Sequence, residues 1–359
     1  MKLIPIVVAV FCGFSGAGLS AETWNGKAAG AYLDGRIAWW MDWPSAARDH
    51  ETFCISCHTA VPYAVARPAL RSTLGEQAPS ALERRLVENV TKRVQMWGEV
   101  APFYLTKKES DPKTLESRGT EAILNALVLT RYDEATGKLG PDARLALQNM
   151  WGEQLKTGDA RGAWNWLQFH NSPWEGDSQY LGAALAGIAV GNALGDYRSE
   201  LEVREGLKLL SNYLVREKAA QILLNRVMLL WASAKLPGLL TRAEQKAIID
   251  ETLAKQQEDG GFSLSSFVGG WKRRDNTPLE TRSDGYATGL IVYTLRQTGV
   301  SGSQAQWQRA LDWLKANQQP EGNWLAWSLN KQRDPASDAG HFMGDAASAF
   351  SALALAESK

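Results

Sequence analysis

The residues best equipped for chemistry in this 359-residue chain lie together, as Cys54-Ile55-Ser56-Cys57-His58. Two thiols three positions apart, followed directly by an imidazole, make the spacing C-x-x-C-H. That spacing suits covalent attachment of a c-type haem: two thioethers hold the macrocycle on one turn of helix, and His58 is carried under the iron as an axial ligand. Two other uses of the cysteines are weaker. A Cys54–Cys57 disulfide of the thioredoxin kind belongs in a βαβ context, and no such pattern appears around it. A structural zinc site takes four ligands, and the chain offers no second cysteine pair.

A second axial ligand would come from the other histidines, His50, His170 and His341, or from Met41, Met96, Met150, Met228 and Met343. A protein ligand in that position suits electron transfer, whereas an open position suits chemistry at the iron. His341 is the expected distal ligand or general acid/base, because the last repeat should pack beside the first. His170 is the next candidate for a catalytic role. A histidine there could exchange protons near neutral pH.

The elements that must position these groups follow from the rest of the chain. Met1-Lys2, an apolar run from Leu3 to Phe11 and small residues to Ala21 read as a signal peptide over 1–21, with Ala17 as an alternative cleavage point. Export to the periplasm would remove Cys12 and leave only Cys54 and Cys57. No other stretch is long and apolar enough to cross a membrane. Basic and acidic residues balance at 39 each, which argues against a nucleic-acid binder. Hydrophobic content of 45% supports a packed core, read as a single domain over 22–359 with the haem-binding segment 50–70 in its first helix pair. Fifteen tryptophans point to a repeated packing use or an aromatic-lined cavity.

Apolar spacing of three and four residues dominates, as at Leu207, Leu210 and Leu214, so helices are expected and strands are not. A repeat of about 50 residues recurs, about six times in all. Each copy runs from an apolar helix end to a Gln, a Gly turn and an aromatic: Gln154/Gly162/Trp164, Gln256/Gly261/Phe262 and Gln318/Gly322/Trp324. A second, Ala/Gly-rich helix follows, starting near Asp177, Asp284 and Asp345, each read as an N-cap. Ser117 to Leu129 and the stretch after His58 occupy the same slot, and 202–231 forms a pair without the Gly-aromatic turn.

The Gln…Gly-x-Trp segments resemble the QW motifs of squalene–hopene cyclases and prenyltransferase-type proteins, over residues 100–359. The resemblance implies an all-α fold, an (α/α)6 toroid with an inner and an outer helix ring around an aromatic-lined cavity. It implies terpene chemistry less well. The Asp-x-Asp-Asp acid motif, the Asp-Asp-x-x-Asp diphosphate motif and a zinc set are all missing. The expectation is a periplasmic haem-c oxidoreductase acting on an apolar or bulky small molecule in the cavity, together with a redox partner protein. The alternative is an electron-transfer module without substrate chemistry. Trp174, Trp271 and Trp327 are expected cavity walls, Arg273, Arg274 and Arg282 a possible anion site, and Trp97, Phe103 and Tyr104 a cover for the haem.

Overall fold

The computed structural model describes residues 24–104, 111–168, 179–300, 304–334 and 336–358. The fold is all-α. Among the described residues the helices are α1 (Gly26–Asp42), α2 (Ala60–Leu74), α3 (Ala81–Gln95), α4 (Pro112–Thr136), α5 (Pro141–Gly152) and α6 (Gln179–Asn192). They continue as α7 (Leu201–Glu217), α8 (Leu223–Lys235), α9 (Arg242–Leu253), α10 (Gly285–Gln297), α11 (Ala305–Ala316) and α12 (Asp338–Ala356). One small element was not expected from the sequence. Strands β1 (Ala47–Arg48) and β2 (Thr52–Phe53) pair antiparallel just before the cysteine motif. Their turn places His50 and Glu51 at φ of 52° and 55°.

The helices fall into two kinds. α6, α10 and α12 are buried on nearly every face, as expected of Ala/Gly-rich helices enclosed by others. α3, α7, α9 and α11 carry one apolar stripe. Ser80 with Glu83 and Thr241 with Glu244 form reciprocal capping boxes at α3 and α9. The even-numbered helices pack in sequence, α2 on α4, α4 on α6, α6 on α8, α8 on α10 and α10 on α12, and α12 packs back on α2. The odd-numbered helices flank them. α10 and α12 approach so closely that a Cβ on Gly289 would lie 2.5 Å from the Ser351 backbone nitrogen.

The three Gln-Gly-aromatic segments perform one structural task. The amides of Gln154, Gln256 and Gln318 each donate to a carbonyl of their own turn: Gly162, Gly260 and Gly322. Each also donates to a backbone carbonyl at another odd-numbered helix: Gly206 of α7, Gln306 of α11, and Asn25 just before α1. The last contact joins positions 293 residues apart. Gly322 sits at φ 96°, and any Cβ there would meet the Ala28 backbone at 2.3 Å, so the turn admits only glycine. Trp164 and Trp324 are packing residues, their indoles donating to the Met150 and Leu314 carbonyls.

Asp284 caps α10 as its sequence implies, accepting from Ala287 N at 2.8 Å and from Leu264 N at 2.6 Å. Asp177 lies outside the described residues. Asp345 is not an N-cap: α12 starts two turns earlier, with Ser337 accepting from Gly340 N. The capping signal was misplaced because Gly340 and Gly344 lie inside the helix.

Burial raises the Asp284 carboxyl to about 7, against the N–H bonds that it accepts. The unfolded chain releases this proton near pH 4 and the folded one near 7, so stability falls as pH rises through that window, by up to about 4 kcal/mol. Asp284→Asn is expected to remove this slope. Denaturant titrations at pH 5 and 8 check it: the wild-type advantage over the Asn variant should shrink at pH 8. An equal difference at both pH values would count against the assignment.

Candidate functional site

The motif does not form a helical turn. Residues 54–59 make an irregular passage from β2 into α2, which begins only at Ala60. The passage is held from three sides. Asn89 of α3 accepts from Phe53 N and donates to Phe53 O. Trp40 of α1 donates to the Cys54 carbonyl at 2.7 Å. Ser56 Oγ accepts from the backbone N–H groups of Thr59 and Ala60, which satisfies donors at the start of α2. Cys54 is buried, Cys57 half-buried, and the two are not joined in a disulfide.

His58 is buried, with Trp40 set edge-on at 5.0 Å and Phe342 stacked on it at 3.7 Å between ring centroids. Burial, with the nearby Arg36 charge, lowers its pKa to about 3, so the ring is neutral at any physiological pH. The tautomer follows from its partner. Thr59 Oγ1 donates to Asp345 Oδ2 at 2.7 Å, and it lies 2.8 Å from His58 Nδ1. A hydroxyl has one proton, so Thr59 accepts from Nδ1–H and Nε2 carries the lone pair. Asp345 is held in turn by Arg36 at 2.7 and 3.1 Å and by the Tyr32 hydroxyl at 3.1 Å. A histidine whose Nδ1–H is anchored to a hydroxyl and a carboxylate is oriented to present Nε2 to a metal.

Next to the motif lies a cavity of about 490 Å³, within the usual range of cofactor pockets. Cys54, Cys57 and His58 line it, together with Trp40, Trp43, Phe103, Tyr104 and Phe342. Three guanidinium side chains, Arg48, Arg274 and Arg333, also line it, and no carboxylate does among the described residues. Two buried polar atoms in its wall, Arg48 Nε and Asn330 Oδ1, make no hydrogen bond. The donor set thus suits a flat, largely apolar group with anionic edges. Among the described residues no cluster of three or more His, Cys, Asp or Glu could hold a bare metal ion.

The other sequence candidates are distributed unevenly. Met343 is buried and lines the cavity. His341 does not line it: its Nδ1 lies 2.9 Å from the Ser337 carbonyl, one turn back on α12. His170 and Trp174 lie outside the described residues. His50 is exposed, 3.8 Å from Asp49. Met150 is buried on α5, away from the cavity, and Met228 lines a separate, smaller chamber. Of the expected walls, Trp271 instead donates to the Leu329 carbonyl and Trp327 lies under Arg282 at 3.9 Å. Phe103 and Tyr104 do reach the cavity, whereas Trp97 is covered by Arg118 at 4.5 Å. Arg274 reaches it as well, but Arg273 is tied to Glu280 and to the Ser328 and Pro278 carbonyls.

Trp40, Trp43 and Arg48 were missed from the sequence, and Asp345 was read there only as an N-cap. Asp345 did leave a signal: a lone acid heading the apolar stretch Ala346-Ala347-Ser348-Ala349-Phe350 needs a buried partner. No helix among the described residues is long and apolar enough to cross a membrane. No protein-family model matches the chain, and no curated protein matches it.

Proposed function

We propose that this chain is an exported haem-c oxidoreductase holding one haem in the larger cavity, bound through Cys54 and Cys57, with His58 Nε2 as axial ligand. The observation that carries the reading is the His58–Thr59–Asp345 chain, which gives the lone pair to Nε2 beside a cavity lined by both cysteines. The arginines supply the complement to two carboxylate edges: Arg48, Arg274 and Arg333 face the same space. A haem held there supplies one-electron chemistry. The protein's residues fix the imidazole, exclude water with Trp40, Trp43 and Phe342, and keep His58 neutral.

We further infer that the scaffold is a toroid of six helix pairs, as in squalene–hopene cyclases and prenyltransferases. The return of α12 onto α2 and the Gln318–Asn25 bonds support this. A bulky substrate in the axis is less well accommodated. Among the described residues, a chamber of about 50 Å³ also lies between the even-numbered helices. A small molecule or another redox protein suits this arrangement better as the reacting partner.

A second reading, a low-spin electron relay, is favoured by Met343, the one candidate sixth ligand among the described histidines and methionines that shares the cavity with His58. Expression in a periplasm that matures c-type cytochromes tests both. The wild-type band should stain for haem on a denaturing gel, and Cys57→Ser should weaken or abolish the stain. No covalent haem in the wild type would overturn the proposal. On the relay reading, Met343→Ala converts a low-spin spectrum to high-spin and admits carbon monoxide, while His341→Ala leaves the spectrum unchanged. A high-spin wild type that binds carbon monoxide favours catalysis at the iron instead.

A further inference from the structure

The chamber of about 50 Å³ lies where all six even-numbered helices converge, and each contributes a wall: Val61, Leu124, Leu185, Trp231, Tyr286 and Phe350. Leu124 and Cys57 line the larger cavity too, so the two spaces adjoin at the cysteine motif. A space of this size takes at most a few very small molecules, since a single water occupies about 10–15 Å³ on this measure.

Its chemistry narrows the occupant. Water in a protein needs two to four polar partners, and these walls are almost wholly aliphatic and aromatic. Cys57, Trp166, Trp231 and Tyr286 bring the few polar atoms of the wall, and the Nε1 of Trp231, a side chain 3% exposed, makes no hydrogen bond. An apolar molecule with at most one weak acceptor atom matches such a space. Diatomic gases of the dioxygen, nitric oxide and carbon monoxide class have that size and polarity. Apolar ligands larger than a single small ring are excluded by volume, and ions by the absence of any charged side chain in the wall.

We propose that this chamber is a binding site for an apolar diatomic gas, in exchange with the larger cavity past Cys57 and Leu124. The use of the site rests on the haem reading, but its occupancy does not. The chamber would keep a gas molecule within reach of the iron without a path through solvent.

Xenon is the probe. Crystals of the matured protein held under xenon should show the atom between Trp231 and Leu185. Leu185→Phe should exclude it, and Leu185→Ala should increase its occupancy, so opposite volume changes guard against a folding artefact in either variant. In flash photolysis of the carbon monoxide complex, made on Met343→Ala if Met343 ligates the iron, Leu185→Phe should at least halve the slow geminate phase. Leu185→Ala should enlarge that phase. Ordered water in the chamber, or no xenon there, overturns the proposal. Xenon binding with unchanged rebinding in both variants overturns the exchange. A chain that carries no haem defeats the proposed function, and the xenon result then decides the occupancy alone.

Discussion

If Cys54, Cys57 and His58 hold haem as proposed, Asp345→Asn is expected to raise the reduction potential of the matured protein; with or without haem, Asp345→Ala is expected to destabilise the fold by about 2–3 kcal/mol. The carboxylate is 1% exposed and accepts from Thr59, Tyr32 and both arms of Arg36. Truncation to Ala leaves the Arg36 charge largely buried without its anion, at 14% side-chain exposure. The residual exposure keeps the cost below that of a fully enclosed pair. The redox effect has a definite sign. A negative charge beyond Thr59 favours the more positive iron state, because it strengthens the polarisation of the Nδ1–H bond and so the donor power of Nε2. Neutralising it removes that preference and leaves Arg36 opposing it further. A tenfold loss of preference for the oxidised state corresponds to about 59 mV. Spectroelectrochemical titration of wild type and Asp345→Asn reads the shift directly. An unchanged potential with lowered stability would reduce Asp345 to a structural anchor.

What the sequence disclosed about this site follows from which interactions are local. The C-x-x-C-H motif is contiguous, so its three residues can be picked out from spacing alone. The Asp284 cap involves Ala287, three residues away, and was equally readable. The Gln-Gly-aromatic turns repeat the same short-range bond, as in Gln318 to Gly322, so their periodicity exposed the helical repeat. Asp345 was legible as an important acid but assigned the wrong task. Its partners are Tyr32, Arg36 and Thr59, up to 313 residues away, and no local pattern specifies that meeting. The cavity walls failed for the same reason. Trp40 and Trp43 look like an amphipathic helix end, and only the packing of α1 against α2 and α12 brings them to His58. His341 was favoured because the last repeat does meet the first. The correct neighbourhood still left the choice between His341 and Met343 to the helical phase: two residues on one helix differ by about 200° in direction.

The second large effect concerns the wall that carries Phe103. Arg93 of α3 is 0% exposed, and its guanidinium donates to Glu121 of α4, to Thr52 and Asp49 of the β1–β2 turn, and to the Ala101 carbonyl. It also lies 5.2 Å from the Phe103 ring. One side chain thus ties α3 and α4 to the hairpin that delivers the cysteine motif. Burial opposes its charge, but Glu121 and Asp49 outweigh that and hold it above the ordinary arginine range. Arg93→Met keeps most of the apolar volume and strands the fully buried Glu121, which should cost about 3–5 kcal/mol at pH 7. Burial pushes the Glu121 carboxyl up, and without Arg93 only Arg118 and Asn125 oppose it. The variant can therefore recover stability by protonating Glu121, and its deficit should shrink as pH falls toward 5. Arg93→Met with Glu121→Leu removes both charges and should regain at least half of the loss, since an apolar pair of similar volume can replace a buried ion pair. Denaturant curves of the single and double variants at pH 5 and 7 decide it. A deficit below about 1 kcal/mol, or a double variant no better than the single one, would mean that the hairpin is anchored elsewhere.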